Sequence, residues 1–183
     1  MILILNGYIY YFMTIIRNAI ISDVKALSQL AKLCFSDTFG HLYTKDDLSS
    51  HLQETCSPEF FSKSLTTDII LVAENYDGSL VGYIKFGDLG LPIKNIHEGS
   101  KEIHRLYIHP DFKRKNIGSN LMQHAFTNPI LETAKHYYLS VYENNIIAQN
   151  FYKDFGFTII GKYDYYVGAH IDIELIMHKT NSN

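Results

Sequence analysis

The spacing of apolar side chains changes at Asp68. Upstream of it, Val24, Leu27, Leu30, Ala31 and Cys34 recur at steps of three and four, the period of one helix face. Ser22 stands as the N-cap of this helix with Asp23 in its first turn, and the pattern predicts an end near Phe35. Thr44 followed by Asp47, with Leu48 and Leu52 at helical spacing, marks a second helix. Ser57-Pro58-Glu59 opens a third, Pro58 suiting the first helical position. Downstream, strands predicted over 68–75 and 79–86 are joined at Asp77-Gly78, a hairpin turn signal. A loop over 88–100, long enough to border a site, precedes a strand over 101–109 that stops at Pro110. Helical spacing returns at Ile117, Leu121, Met122 and Ala125 and is interrupted at Asn128-Pro129. A strand over 137–142, a helix over 145–155 and strands over 157–167 and 170–178 complete the chain. With the strand-like run after Met13 in front, the order is β-ααα-ββ-β-α-β-α-β-β, which predicts a mixed α/β (α+β) domain and excludes a bundle or a sandwich.

Composition sets limits on function. The 183 residues are 46% hydrophobic and 19% charged, enough for one folded domain and too apolar for disorder. Sixteen basic against 19 acidic side chains leave a formal charge of -3, which provides no overall attraction to nucleic acid or an anionic membrane and favours a cationic substrate. Cys34 and Cys56 lack C-x-x-C spacing, so both read as core residues of a protein in a reducing, cytoplasmic compartment. The nine histidines show no metal-ligand spacing, and no metal is expected. The apolar run 2–12 is shorter than the roughly 20 residues of a membrane-spanning helix and lacks a signal peptide's basic start and cleavage site. Two readings stand for it: translation starting at Met13, or an extra N-terminal strand or arm. Residues 14–179 then form the domain, with 1–13 an extension and 180–183 a tail.

Two segments carry chemistry. From Leu106-Tyr107-Ile108 a strand ends at His109-Pro110, and Lys113-Arg114-Lys115-Asn116-Ile117-Gly118-Ser119 leads into a helix. The first amides of a helix have no internal partner and the helix dipole favours an anion there, so with three adjacent cations the loop is built for phosphate. In the second segment Asn145, Ala148 and Tyr152 fall on one helix face and Gly156 stops the helix before a strand.

Together the two segments resemble the GNAT superfamily of acyl-coenzyme A-dependent N-acetyltransferases. The first is similar to its pyrophosphate motif, Gln/Arg-x-x-Gly-x-Gly/Ala, and the second to its N-x-x-A-x-x-F-Y-x-x-x-G-F segment. Lys113 stands where Gln or Arg is usual and Asn116 replaces the first glycine, while Gly118 keeps the second. Asn tolerates left-handed backbone, so the loop can still close. The resemblance implies the GNAT fold, a central, mostly antiparallel twisted sheet flanked by helices and splayed between the strands near 101–109 and 137–142, with acetyl-coenzyme A as cofactor. Main-chain groups of Leu106, Tyr107 and Ile108 would bind the pantetheine arm, residues 113–119 would wrap the pyrophosphate, and Tyr152 would be the general acid. Some members use a glutamate at the position of Glu102 as base, with His104 as competitor; strict alternation would put both on one sheet face with Leu106 and Ile108. A dimer through sheet edges is also implied.

Within the superfamily, Phe35-Ser36-Asp37-Thr38-Phe39, Glu102 to Ile108, and Tyr165-Tyr166-Val167-Gly168 with Leu175-Ile176-Met177 resemble PaiA-type polyamine N-acetyltransferases. The resemblance implies spermidine or spermine as the small-molecule amine. Such cations need carboxylates and aromatic faces, for which Asp37, Glu54, Glu59 and Glu102 with Phe39, Tyr142 and Tyr166 are candidates. Acetylation of protein N-termini or lysines, and a sensor that binds without turnover, are the competing readings.

Overall fold

The computed structural model describes residues 2–5, 8–11 and 14–181, with side chains from Thr14 onward. Strands β1 (Ile2–Leu5) and β2 (Tyr8–Tyr11) pair antiparallel as a two-stranded sheet of their own. The main sheet has seven strands: β3 (Ile15–Asn18), β4 (Ile69–Glu74), β5 (Leu80–Asp88), β6 (Ser100–Ile108), β7 (His136–Tyr142), β8 (Thr158–Val167) and β9 (His170–Thr180). Their spatial order is β3-β4-β5-β6-β7-β9-β8, antiparallel throughout except at the β6–β7 pair, which is parallel.

The period-two pattern of β4 decides where the helices lie. Ile70 and Val72 point to one face and meet Val24, Leu27, Leu30 and Ala31 of α1 (Val24–Phe39) and Phe61 of α3 (Pro58–Thr67). Leu71 and Ala73 point to the other and meet Leu121, Met122 and Ala125 of α4 (Ile117–Phe126). Each fully buried leucine in these layers, such as Leu27 or Leu121, contributes about 1.5–3 kcal/mol by leaving water. The remaining helices are α2 (Lys45–Cys56), α5 (Pro129–Glu132) and α6 (Ile146–Asp154).

Most predicted helix starts stand. Thr44 Oγ1 accepts the Asp47 amide at 3.1 Å, and Ser57 Oγ accepts the Phe60 amide at 3.2 Å with Pro58 in the first turn. The first helix departs from expectation at both ends. Residues 21–23 form a 3-10 turn closed by Asp23, not Ser22: its carboxylate accepts the Ile20 amide at 2.9 Å and pairs with Arg17 at 2.6 Å. The helix then runs one turn past Phe35 to Phe39. Both cysteines are buried, and burial pushes the Cys34 thiol up to about 12, which suits packing and not nucleophilic work.

One irregularity bears on the site. On β6, Arg105 lies opposite Lys85 and Ile103 opposite Phe86, so His104 is an extra residue in a β-bulge. The bulge shifts the alternation by one. Glu102 therefore does not share a face with Leu106 and Ile108 as simple alternation predicts; it lies opposite Gly87, on the face of Lys85 and Arg105, while Ile103 joins Leu106.

Candidate active site

Strands β6 and β7 pair only over three residues, Ser100 with His136 through Glu102 with Tyr138. Beyond them the strands part, and a cavity of about 810 Å³ opens in the gap, walled by Leu106, Tyr107 and Ile108 on one side and Ser140, Val141 and Tyr142 on the other. The polar groups of a sheet edge facing such a gap lack strand partners, so an extended ligand can supply them.

At one end of the cavity lies the start of α4. Asn116 caps it in left-handed backbone, φ 61°, as the replacement of glycine by asparagine requires, and Arg114 also sits at φ 61°. These two left-handed residues lead into the head of a ten-residue helix, whose unpaired first amides and dipole favour an anion. Lys113, Arg114, Asn116, Ile117, Gly118 and Ser119 line the cavity here. Lys115 does not: its ammonium lies 4.5 Å from the centre of the Phe112 ring, outside the wall. Asn145 caps α6 through the Ala148 amide at 3.1 Å, and Asn145, Ala148 and Tyr152 line the wall together as their spacing predicts. Tyr152 is buried, and burial holds its phenol well above the usual tyrosine range, so it is protonated at neutral pH.

The other end is built differently from the expectation. Phe39 and Tyr142 do line it, edge to face at 6.0 Å. Asp37 does not reach the wall; it points off α1 and pairs with Lys113 at 2.7 Å. Tyr166 is 63% exposed, because alternation along β8 turns Tyr163 and Tyr165 inward and Tyr166 out. Glu54 and Glu59 are exposed on α2 and α3, whose contributions to the wall are His51 and Phe60. Glu102 is on the wall and 7% exposed: Oε2 accepts the amides of Gly90 and Leu91 at 2.8 and 3.1 Å, and Oε1 is 3.1 Å from His104 Nδ1. The loop between β5 and β6 is tied to the site only through Glu102 and contributes no residue of its own to the wall.

Two carboxylates that the sequence reading passed over complete this end, Asp172 and Glu174 of β9. The Tyr43 phenol donates to Asp172, and His170 Nε2 lies 3.2 Å from its other oxygen. Burial pushes the Glu174 carboxyl up to about 7, against the Ser140 hydroxyl, which favours the anion. A signal for both was present: His170, Asp172 and Glu174 alternate with Ile171, Ile173 and Leu175, one polar face of a strand. The cations here are engaged elsewhere. Lys85 pairs with Asp68 at 2.8 Å, and the Arg105 guanidinium donates to the Thr55 carbonyl at 2.6 Å and lies 4.6 Å from the Phe60 ring centre. Among the described residues no group of histidines, cysteines and carboxylates is placed to hold a metal ion.

The cavity in the splayed sheet thus has two unlike ends, the cation-rich turn into α4 at one and the carboxylates Glu102, Asp172 and Glu174 at the other. The family model described as the acetyltransferase (GNAT) family matches residues 25–157. The chain belongs to that family. It is accordingly an acyltransferase dependent on acetyl-coenzyme A. Among its relatives is a spermidine N(1)-acetyltransferase of Thermoplasma acidophilum, 26% identical over 153 residues that make up 79% of this chain and 88% of that protein. A spermine/spermidine N(1)-acetyltransferase of Bacillus subtilis is 30% identical over 92 residues, 49% of this chain and 60% of that one. The fold is similar to that of the PaiA N-acetyltransferase from T. acidophilum, solved in complex with coenzyme A, with a TM-score of 0.74 at 23% identity over 92% of this chain and 99% of that one. The acetyltransferase's own residues fit its cofactor. The amides at the head of α4, beside the left-handed Arg114 and Asn116, would suit a pyrophosphate, and β6 beyond Glu102 has no strand partner on the β7 side, an edge that an amide-bearing arm would fit. Among the described residues no helix is long and apolar enough to cross a membrane.

Proposed function

We propose that this acetyltransferase acylates a primary amine of a polyamine such as spermidine or spermine. The observation that carries the reading is the acceptor end of the cavity, where Glu102, Asp172 and Glu174 stand among the rings of Phe39, Tyr43, Tyr142, Tyr163 and Tyr165. An extended polycation is held by carboxylates that neutralise its ammonium groups and by aromatic faces that take up its methylenes and its charge. The names of the Thermoplasma and Bacillus relatives support the same acceptor class.

Acetyl-coenzyme A supplies an activated thioester; the rest is the work of the chain. The amides at the head of α4 with Arg114, and Lys113 beside its partner Asp37, would hold the pyrophosphate, and main-chain groups of Leu106 to Ile108 would hold the arm along the open edge of β6. Tyr152 lies on the cavity wall and, being kept neutral by burial, would carry the proton a departing thiolate needs. Acetylation of a protein is disfavoured by the roof over the acceptor end. There Tyr43, between α1 and α2, donates to Asp172 of β9, and Asp47 of α2 accepts the Ala169 amide of the β8–β9 turn at 3.3 Å, two bonds that tie this region to the end of the sheet.

The test is thiol release from acetyl-coenzyme A with spermidine, spermine, putrescine, a lysine peptide or no acceptor. Selective turnover with spermidine or spermine is the expected result. Turnover with the peptide alone would move the activity to proteins, and acetyl-coenzyme A binding without turnover would make the protein a sensor.

A further inference from the structure

Acetylation requires the amine nitrogen to lose a proton before it can form a bond, because an alkylammonium resembles lysine, with a pKa of about 10.4. Three carboxylates share the acceptor end, and two are already engaged. Glu102 accepts two fixed backbone amides at 2.8 and 3.1 Å and faces His104 at 3.1 Å. Both of its oxygens are thus committed, one to the loop between β5 and β6 and the other to His104. Asp172, 4% exposed, is held by Tyr43 and His170 in the latch over the cavity.

Glu174 is placed differently. On β9 it lies opposite Tyr142 of β7 and Tyr163 of β8, and residues paired in register share a face, so its carboxyl stands on the cavity wall between two rings. Tyr152 of α6 and Ser140 of β7 open onto the same space. Its hydrogen-bonding neighbour, the Ser140 hydroxyl, is a rotor that can donate to the carboxylate or accept from the acid.

We propose, resting on the amine-acylation reading above, that Glu174 and not Glu102 is the base that deprotonates the acceptor amine, with Glu102 as the residue that positions the loop between β5 and β6. The Glu174 carboxylate takes one N–H proton from the bound ammonium. The lone pair so released forms the N–C bond to the acetyl carbonyl carbon, and the C–S bond breaks with its electron pair going to sulfur. Tyr152 gives its proton to that thiolate and regains one from the nitrogen, which sheds its second proton on becoming an amide. Glu174 returns its proton to solvent, so one proton is released per turnover.

The electrostatics agree with that assignment. Facing Glu174 are the phenols of Tyr142, Tyr163 and Tyr165 from β7 and β8, that of Tyr152 from α6, that of Tyr43 from the segment before α2, and the carboxylate of Asp172 on its own strand. Burial and Asp172 disfavour a second negative charge there and outweigh the Ser140 hydroxyl, leaving the carboxyl near 7. A base poised at the working pH is the most efficient.

The test is the pH dependence of kcat/KM for spermidine and for a lysine peptide in the wild type, Glu174→Gln and Glu102→Gln, alongside an infrared titration of the protonated carboxyl stretch. The wild-type rate is expected to rise through an inflection near 7, matched by a carboxyl band that Glu174→Gln lacks. Glu174→Gln loses the inflection, falls about 100-fold or more at neutral pH, and recovers part of the loss at pH about 9 as free amine accumulates. Glu102→Gln turns over more slowly but keeps the inflection. An inflection that survives in Glu174→Gln, or disappears only in Glu102→Gln, overturns the assignment, as does a Glu174 band that titrates in the ordinary carboxylate range. Turnover of the peptide but not spermidine overturns the acceptor class while its pH profile still decides the base. No turnover with any amine overturns both.

Discussion

At the scale of single residues, Tyr152 and Glu174 are set by one physical cause acting on two chemistries. Burial disfavours a negative charge on either; a phenol, already weak as an acid, becomes a permanent proton carrier, and a carboxyl rises to about 7, where it can gain or lose a proton. Tyr152→Phe keeps the ring that packs against Phe151 and Phe157 at 5.4 and 6.1 Å and removes only the proton donor. Steady-state kinetics should therefore show kcat lower by about 100- to 1,000-fold with KM for acetyl-coenzyme A nearly unchanged. Glu174 also leaves a trace in stability. Its folded pKa lies above the 4.5 of the free group, so between pH 4.5 and about 7 the unfolded chain gives up a proton that the folded chain retains. Stability from this group falls as pH rises through that window and is level above it. Glu174→Gln lacks the penalty, and denaturant melts at pH 4.5 and 8 should show the variant gaining up to about 3 kcal/mol relative to wild type at the higher pH.

At the scale of elements, the cradle for an anion depends on two left-handed residues that are not glycine, Arg114 and Asn116, at the head of α4. Asparagine bears that backbone at less cost than alanine, because its side chain can bond locally. Asn116→Ala is expected to lose about 1 kcal/mol of stability and to weaken acetyl-coenzyme A several-fold in titration calorimetry, whereas Asn116→Gly should match or exceed the wild type on both. Helix starts and turns of this kind were legible, since Thr44, Ser57, Asn145 and Asp77-Gly78 act on their own backbone neighbours. The bulge at His104 was not. One extra residue on β6 leaves no mark in the composition of the strand, yet it reverses the face on which Glu102 falls.

At the scale of the whole molecule, distant segments meet both at the cavity and at the opposite end of β7, where it is still paired with β6 and β9. His97 of the β5–β6 loop stacks on His136 of β7 with ring centres 4.5 Å apart, and His136 Nδ1 lies 3.0 Å from His178 Nε2 of β9. Burial, with repulsion from His97 and Lys135 on His136 and from His136 and His97 on His178, holds both below the ordinary imidazole value of 6.5. Unfolding then takes up protons as pH falls through that value, so stability drops on acidification. His178→Asn, which keeps a hydrogen-bonding group, should flatten the fall in melting temperature between pH about 7.5 and 5.5; an unchanged slope would place the acid sensitivity elsewhere. Order of elements, family, the cation-rich turn into α4 and the Asn145–Ala148–Tyr152 face were determined by the sequence alone, because each rests on spacings within one element or across one turn. Asp37 and Tyr166 stood out in the sequence but lie off the cavity wall, and Asp172 and Glu174, which only the alternation along their strand marked as one polar face, line it. Which polar face of a strand looks into a cavity and which into water depends on what packs across it from elsewhere in the chain, and that is decided only when the sheet, its bulge and the roof over β9 come together.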